Sequence, residues 1–243
     1  KKHFPEDEIV FYMAELIIAV ETLHSNNIAH LDITFPNILL DVDGHVVLAD
    51  FGIALNKTHE DKNNIRWESK GISFAEAVNI DFSIVGHFMT FLLQSYKNIL
   101  TLSPNFGEYR KKLLRKHARC EICLAERHAQ EKTEQKRNKL LKKRQRNFRL
   151  NNSYRLTDSL KSALKIFHQH QTESLESPTE ETAQKYFNIL KNGALFKDIL
   201  WDSANDRKLK PPFNGHEIRN SIAAKNRVSA VRLYSRIKEL IKN

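Results

Sequence analysis

Glycine is scarce in this chain, with seven in 243 residues, and none of them falls in the G-x-G-x-x-G spacing. A glycine-rich loop that cradles phosphates is therefore not written here. Only two cysteines are present, which argues against a disulfide scaffold and fits a reducing compartment. No uninterrupted apolar run reaches the length of a membrane span. The opening Lys1-Lys2-His3-Phe4, followed by acids, is not a signal peptide. Together these absences predict an intracellular protein, cytoplasmic or nuclear, with no transmembrane segment. The first residue is Lys rather than Met, which fits a fragment or an incomplete gene model.

What is present suits a globular fold. A hydrophobic content of 41% over 243 residues can bury a core in one domain, or in one domain with an extension. The positive charge is local. Arg110–Arg149 holds 16 Lys or Arg against 4 Glu, a net of +12 in a chain whose total is +10. The remainder is thus about −2 by difference. This stretch has no Pro or Gly and few apolar residues, so it reads as a long solvated helix or a disordered insert. A sharper reading makes it an electrostatic site for an acidic partner: RNA, phosphoinositide or an acidic protein surface. Phe148 is its only aromatic, which leaves a base-stacking platform unsupported. His117, Cys120, Cys123 and His128 lie in the same stretch and raise a zinc reading. On a continuous helix they would span about 16 Å, too far to close on one tetrahedral ion.

The most informative stretch is His30–Gly52, HLDITFPNILLDVDGHVVLADFG. Ile38-Leu39-Leu40 and His45-Val46-Val47-Leu48 read as paired strands, with Asp43-Gly44 as the tight turn between them. A hairpin of this kind returns Asp50 to the neighbourhood of Asn37, with Asp32 on the loop just before. Two carboxylates and an amide gathered at one hairpin end suit a hard, oxygen-ligated cation such as Mg²⁺.

Asp32, Asn37 five residues later and Asp50-Phe51-Gly52 resemble the catalytic and metal loops of eukaryotic protein kinases, His-Arg-Asp-Leu-Lys-x-x-Asn followed by Asp-Phe-Gly. Each piece alone is common; their conjunction at this spacing, with strands between, is the signal. The resemblance implies that Asp32 takes the substrate hydroxyl proton. It also implies that Asn37 and Asp50 hold Mg²⁺ beside ATP, with Phe51 and Gly52 completing the cofactor loop. Leu31 stands where the family has Arg, which puts switching by phosphorylation of the activation loop in doubt. Thr34 stands where the family has a catalytic Lys, which weakens transition-state stabilisation.

Two further stretches resemble the AGC group of serine/threonine kinases, the ribosomal-protein kinases among them. One is FYMAELIIAVETLHS (Phe11–Ser25), the helix before the catalytic loop. Its predicted start is Pro5-Glu6-Asp7-Glu8 and its predicted end Ser25-Asn26-Asn27. The other is LKNGALFKDILWDSANDRKLKPPF (Leu190–Phe213), with Phe196, Ile199 and Trp201, which resembles the junction with the AGC tail. Asp81 resembles the residue that caps the catalytic-loop backbone from the start of the central helix. Ser73–Ala77 is the nearest remnant of Ala-Pro-Glu. A helix is predicted over Tyr154–His170 and a loop over Gln171–Thr182.

The expected fold is mainly α with a small β-hairpin: a kinase-like C-lobe over residues 1–215, with the N-lobe absent from this chain. A basic insertion interrupts it at about 105–152, and a basic amphipathic tail helix follows over 216–243. The implied function is transfer of the ATP γ-phosphoryl group to protein Ser or Thr, with a protein substrate or regulatory protein as partner. The alternative is a pseudokinase, or a binding module that holds an acidic partner through the basic segment.

Overall fold

A computed structural model describes residues 5–34, 37–41, 43–58, 67, 71–93, 155–212 and 231–232. The basic segment with its Cys and His residues therefore lies outside the described residues, as does the tail apart from 231–232.

The fold is mostly helical. Helix α1 (Glu6–Ser25) follows Pro5 and carries Glu6, Asp7 and Glu8 in its first turn, where carboxylates meet the positive end of the helix dipole. Its bounds are those the sequence predicts. Every residue from Phe11 to Ile17 is buried, as expected of a helix that is apolar nearly all round. Helix α2 (Phe74–Leu92) opens with a capping box: Ser73 accepts from the Glu76 N–H, and the Glu76 side chain accepts from the Ser73 N–H. Thr157 caps α3 (Asp158–Glu176) and Thr179 caps α4 (Glu180–Lys191). A 3₁₀ turn (Ala194–Phe196) and short α5 (Trp201–Asn205) complete the described helices.

These helices share one core, with Tyr12, Phe82, Phe167, Phe187 and Phe196 among its largest fully buried side chains. Full burial of each such side chain contributes about 2–3 kcal/mol. At the crossing of α2 and α3, a Cβ on Gly86 would come within 2.5 Å of the Phe167 ring, so no larger residue fits there. Phe196 and Trp201 pack ring to ring at 5.7 Å, and Lys191 lies over the Trp201 ring.

The strands are short. β2 (Ile38–Leu40) pairs antiparallel with β3 (Val46–Leu48), Ile38 opposite Leu48. β1 (Ile28–Ala29) pairs antiparallel with β4 (Leu55–Asn56). β5 (Val231–Arg232) lies on the other side of β2, Leu39 opposite Arg232.

Four expectations need correction. The hairpin turn is wider than a two-residue Asp-Gly turn: the Asp41 N–H donates to the His45 carbonyl. Its carboxylate accepts from the N–H groups of Asp43, Gly44 and His45, an Asx-type turn. The central helix begins at Phe74, seven residues before Asp81, so Ser73–Ala77 forms its capped first turn. Most of Gln171–Thr182 is helix, with only Ser177–Thr179 between α3 and α4. Val231–Arg232 is strand, not helix.

Candidate active site

The hairpin places Asn37 and Asp50 at one end. The Ala49 N–H donates to the Asn37 carbonyl at 2.9 Å, so the ladder continues one step past Ile38–Leu48 and Asp50 follows directly. Asn37 is buried, and its Nδ2 donates to both the carbonyl and Oδ2 of Asp32, each at 2.9 Å. That fixes the amide and turns its oxygen away from Asp32. Thr34 makes the bend between them: its N–H donates to the Asp32 carbonyl, and its carbonyl accepts from Asn37 and Ile38. The Thr34 residue is exposed.

Asp50 is exposed and sits at φ 66°, a left-handed conformation that Asp tolerates better than most residues. Its Oδ1 accepts from the Gly52 N–H at 3.2 Å, and a Cβ on Gly52 would meet that oxygen at 3.1 Å. Phe51 is 44% exposed, and its ring lies 4.8 Å from the buried His30 ring. His30 spans the two loops, its Nε2 against the Ala49 carbonyl and its Nδ1 accepting from the Asp32 N–H.

Beneath this edge lies fully buried Asp81. It accepts from the His30 N–H at 2.7 Å and the Leu31 N–H at 2.8 Å, and its Oδ2 lies 3.1 Å from His24 Nε2. Leu31 sits at φ 62°, a strained conformation for leucine, and these bonds hold it there. The hairpin itself is pinned to α1 by buried Glu15, whose carboxylate contacts His45 Nδ1 at 2.5 Å and accepts from the Val46 N–H at 2.6 Å. Arg207 pairs with Asp41 across the turn. Burial works against the Asp41 charge, but the His45 and Asp43 N–H groups and Arg207 outweigh it and hold the carboxyl below its usual range.

The structure thus brings Asp32 and Asn37 into direct contact and puts Asp50 beside them by register. Glu15, His24 and His45 support the site and were not singled out from sequence. The signal for Glu15 was a single acid inside the apolar run Phe11–Val20.

The donor set fits a hard cation, because the Asn37 amide oxygen and the Asp50 carboxylate are both oxygen ligands. Among the described residues no group of three or more His, Cys, Asp or Glu is placed to hold a metal by itself. A site of this kind therefore relies on oxygens from a bound ligand, as Mg²⁺ sites commonly do.

Residues 1–71 match the protein kinase domain family. That stretch is similar in sequence to protein kinase domains. A probable serine/threonine-protein kinase of Dictyostelium discoideum is 47% identical over 72 residues, 30% of this chain and 14% of that protein. Protein kinase C-like 1 of Caenorhabditis elegans is 34% identical over 120 residues, 44% of this chain and 16% of that protein. A putative ribosomal protein S6 kinase alpha-1 of the same organism is 44% identical over 75 residues, 31% of this chain and 9% of that protein. The chain thus spans under a fifth of the length of these relatives, each of which is named as a kinase. No described helix is long and apolar enough to cross a membrane.

Proposed function

We propose that this chain supplies the C-lobe of an AGC-like protein kinase, which transfers the ATP γ-phosphoryl group to Ser or Thr of a protein. The observation that carries this reading is the contact of Asn37 Nδ2 with Asp32 Oδ2 at 2.9 Å, beside Asp50 at one hairpin end. Asp32 orients the incoming hydroxyl and accepts its proton as the oxygen attacks the γ-phosphorus. Asn37 locks the Asp32 rotamer and offers its amide oxygen outward. Asn37 and Asp50 would hold Mg²⁺, with Phe51 and Gly52 shaping that loop. When bound, the metal neutralises charge on the transferred phosphoryl group. Thr34 lacks the positive charge of a lysine at its position, so transfer is expected to be slower than with a lysine there.

The test is Asp32→Asn in the natural full-length product, assayed with Mg-ATP and a mixed peptide substrate library. Loss of a positioned general base lowers kcat by about 10²–10⁴-fold. Transfer at the wild-type rate would defeat this reading and favour a binding role.

A further inference from the structure

The two loops of the proposed site meet a third element that the kinase reading does not use. Leu31, beside Asp32, packs against an apolar cluster formed by Ala29, Leu55, Ile72, Ala77, Val78 and Ala183. Trp67 packs against the same cluster. The Trp67 Nε1–H donates to the Ile53 carbonyl at 2.8 Å, one residue beyond Gly52. The Trp67 carbonyl accepts from the Ile72 N–H at 3.0 Å, just before the α2 cap at Ser73. One side chain therefore connects the residue after the metal loop to the cluster that seats Leu31.

An aliphatic residue at position 31 cannot pair with a phosphate, and at φ 62° it is strained. Asp81 satisfies its N–H, but only packing engages its side chain. Apolar packing is indifferent to phosphate and nearly indifferent to salt, whereas a phosphate–arginine clasp depends on both.

We infer that Trp67 is a positioning residue for the catalytic and metal loops, holding them through the Leu31 cluster and the Ile53 carbonyl without any phosphate. As a statement about phosphoryl transfer it rests on the proposed function; as a statement about loop order it does not.

The experiment is hydrogen exchange on the natural full-length product as wild type, Trp67→Ala, Trp67→Phe and Asp32→Asn, with kcat and KM measured in parallel. In Trp67→Ala the amides of residues 28–34 should exchange at least about ten-fold faster, while α3 and α4 keep their protection. Trp67→Phe retains the packing and should recover most of the protection. Phosphatase treatment, verified by mass, should leave the wild-type pattern unchanged. In the activity arm Trp67→Ala lowers kcat by about ten-fold or more, with KM for ATP within about two-fold, since the displaced groups act in the chemical step. Asp32→Asn should lose transfer and keep its protection.

Unchanged exchange at residues 28–34 in Trp67→Ala overturns the inference, and so does a release of those amides by phosphatase. If Trp67→Ala loses protection everywhere, Trp67→Phe, which lacks the Nε1–H donated to Ile53, decides: a residual loss at residues 28–34 larger than in α3 and α4 supports the role, and an equal or smaller loss there overturns it. If Asp32→Asn transfers phosphate normally, the kinase reading fails while the exchange data still judge Trp67.

Discussion

At the hairpin edge, Leu31 and Asp50 both sit at positive φ, and the backbone between α1 and β2 is held by Asp81, Asn37 and His30. In the body formed by α2, α3 and α4, the helices carry side-chain caps, and Phe82, Phe167 and Phe187 fill the space between them. One region depends on buried acceptors with few substitutes, the other on packing spread over many contacts. The difference shows where chemistry can be stored. A strained loop persists only where its surroundings over-determine it, so the polar edge must be built on a body that is stable without it. Damage at the edge should therefore come from single atoms, and damage to the body from volume.

The strongest break in this comparison is Asp81→Ala. It leaves the His30 and Leu31 N–H groups, both now bonded to a fully buried carboxylate, with no acceptor. Each orphaned donor costs about 1–3 kcal/mol, so a loss of about 3–4 kcal/mol is expected in urea denaturation. Asp81→Asn keeps one acceptor oxygen and should lose about half as much. A loss below about 1 kcal/mol for Asp81→Ala would mean that packing, not the carboxylate, holds the loop.

The second prediction asks how polar the body is. His170 of α3 is fully buried, its Nε2–H donating to Asn79 Oδ1 at 2.8 Å and its Nδ1 facing the Ser83 hydroxyl at 3.4 Å. Asn79 in turn donates to the Thr179 carbonyl, so the histidine ties α2 to the α3–α4 turn. The rings of Phe82 and Tyr186 lie at 4.4 and 5.2 Å. Burial holds its pKa down to about 3, only partly opposed by the Glu173 carboxylate. The unfolded chain, with a histidine pKa of about 6.5, binds the extra proton first as pH falls. Stability is then complete above pH ~6.5 and declines by up to about 1.4 kcal/mol per pH unit down to pH ~3. Glu173 is held low by Lys185 and Tyr186, so it contributes only below the ordinary carboxylate range. Urea denaturation at pH 7 and 5 should differ by about 2 kcal/mol more in the wild type than in His170→Gln. Equal differences would show that His170 is not the group that titrates.

These contrasts explain what the sequence could reveal. That Asp32, Asn37 and Asp50 come together was legible because the paired strands of the hairpin fix their spacing. The bounds of α1 were legible from Pro5, the three acids after it and Asn26-Asn27. The Asp41 turn was not, because Asp43-Gly44 signals a tighter loop and nothing local announces that Asp41 will turn its carboxylate inward. The end of α3 and the first three residues of α4 were read as loop because Gln171–Thr182 is polar in composition, although Thr179 followed by Glu180 and Glu181 is a helix-start pattern. Glu15 was missed for a different reason. Its role depends on His45 and Val46, 30 and 31 residues away, and periodicity carries no information about such pairs.

The smallest expected effect tests whether exposed charge matters where the two regions meet. Lys57 follows β4 and pairs with Glu180 at the start of α4 at 2.7 Å, with side chains 47% and 42% exposed. Its ammonium also lies 5.4 Å from the centre of the Phe74 ring. Water screens both partners, and holding two long side chains in one geometry costs rotamer entropy. Lys57→Ala should therefore lower stability by only about 0.5–1 kcal/mol, less still in 0.5 M salt. Its backbone bond to Asn27, which extends the β1–β4 pairing, survives the substitution. A loss comparable to that of Asp81→Ala would mean that this junction, and not the buried carboxylate, fastens the loop edge to the helical body.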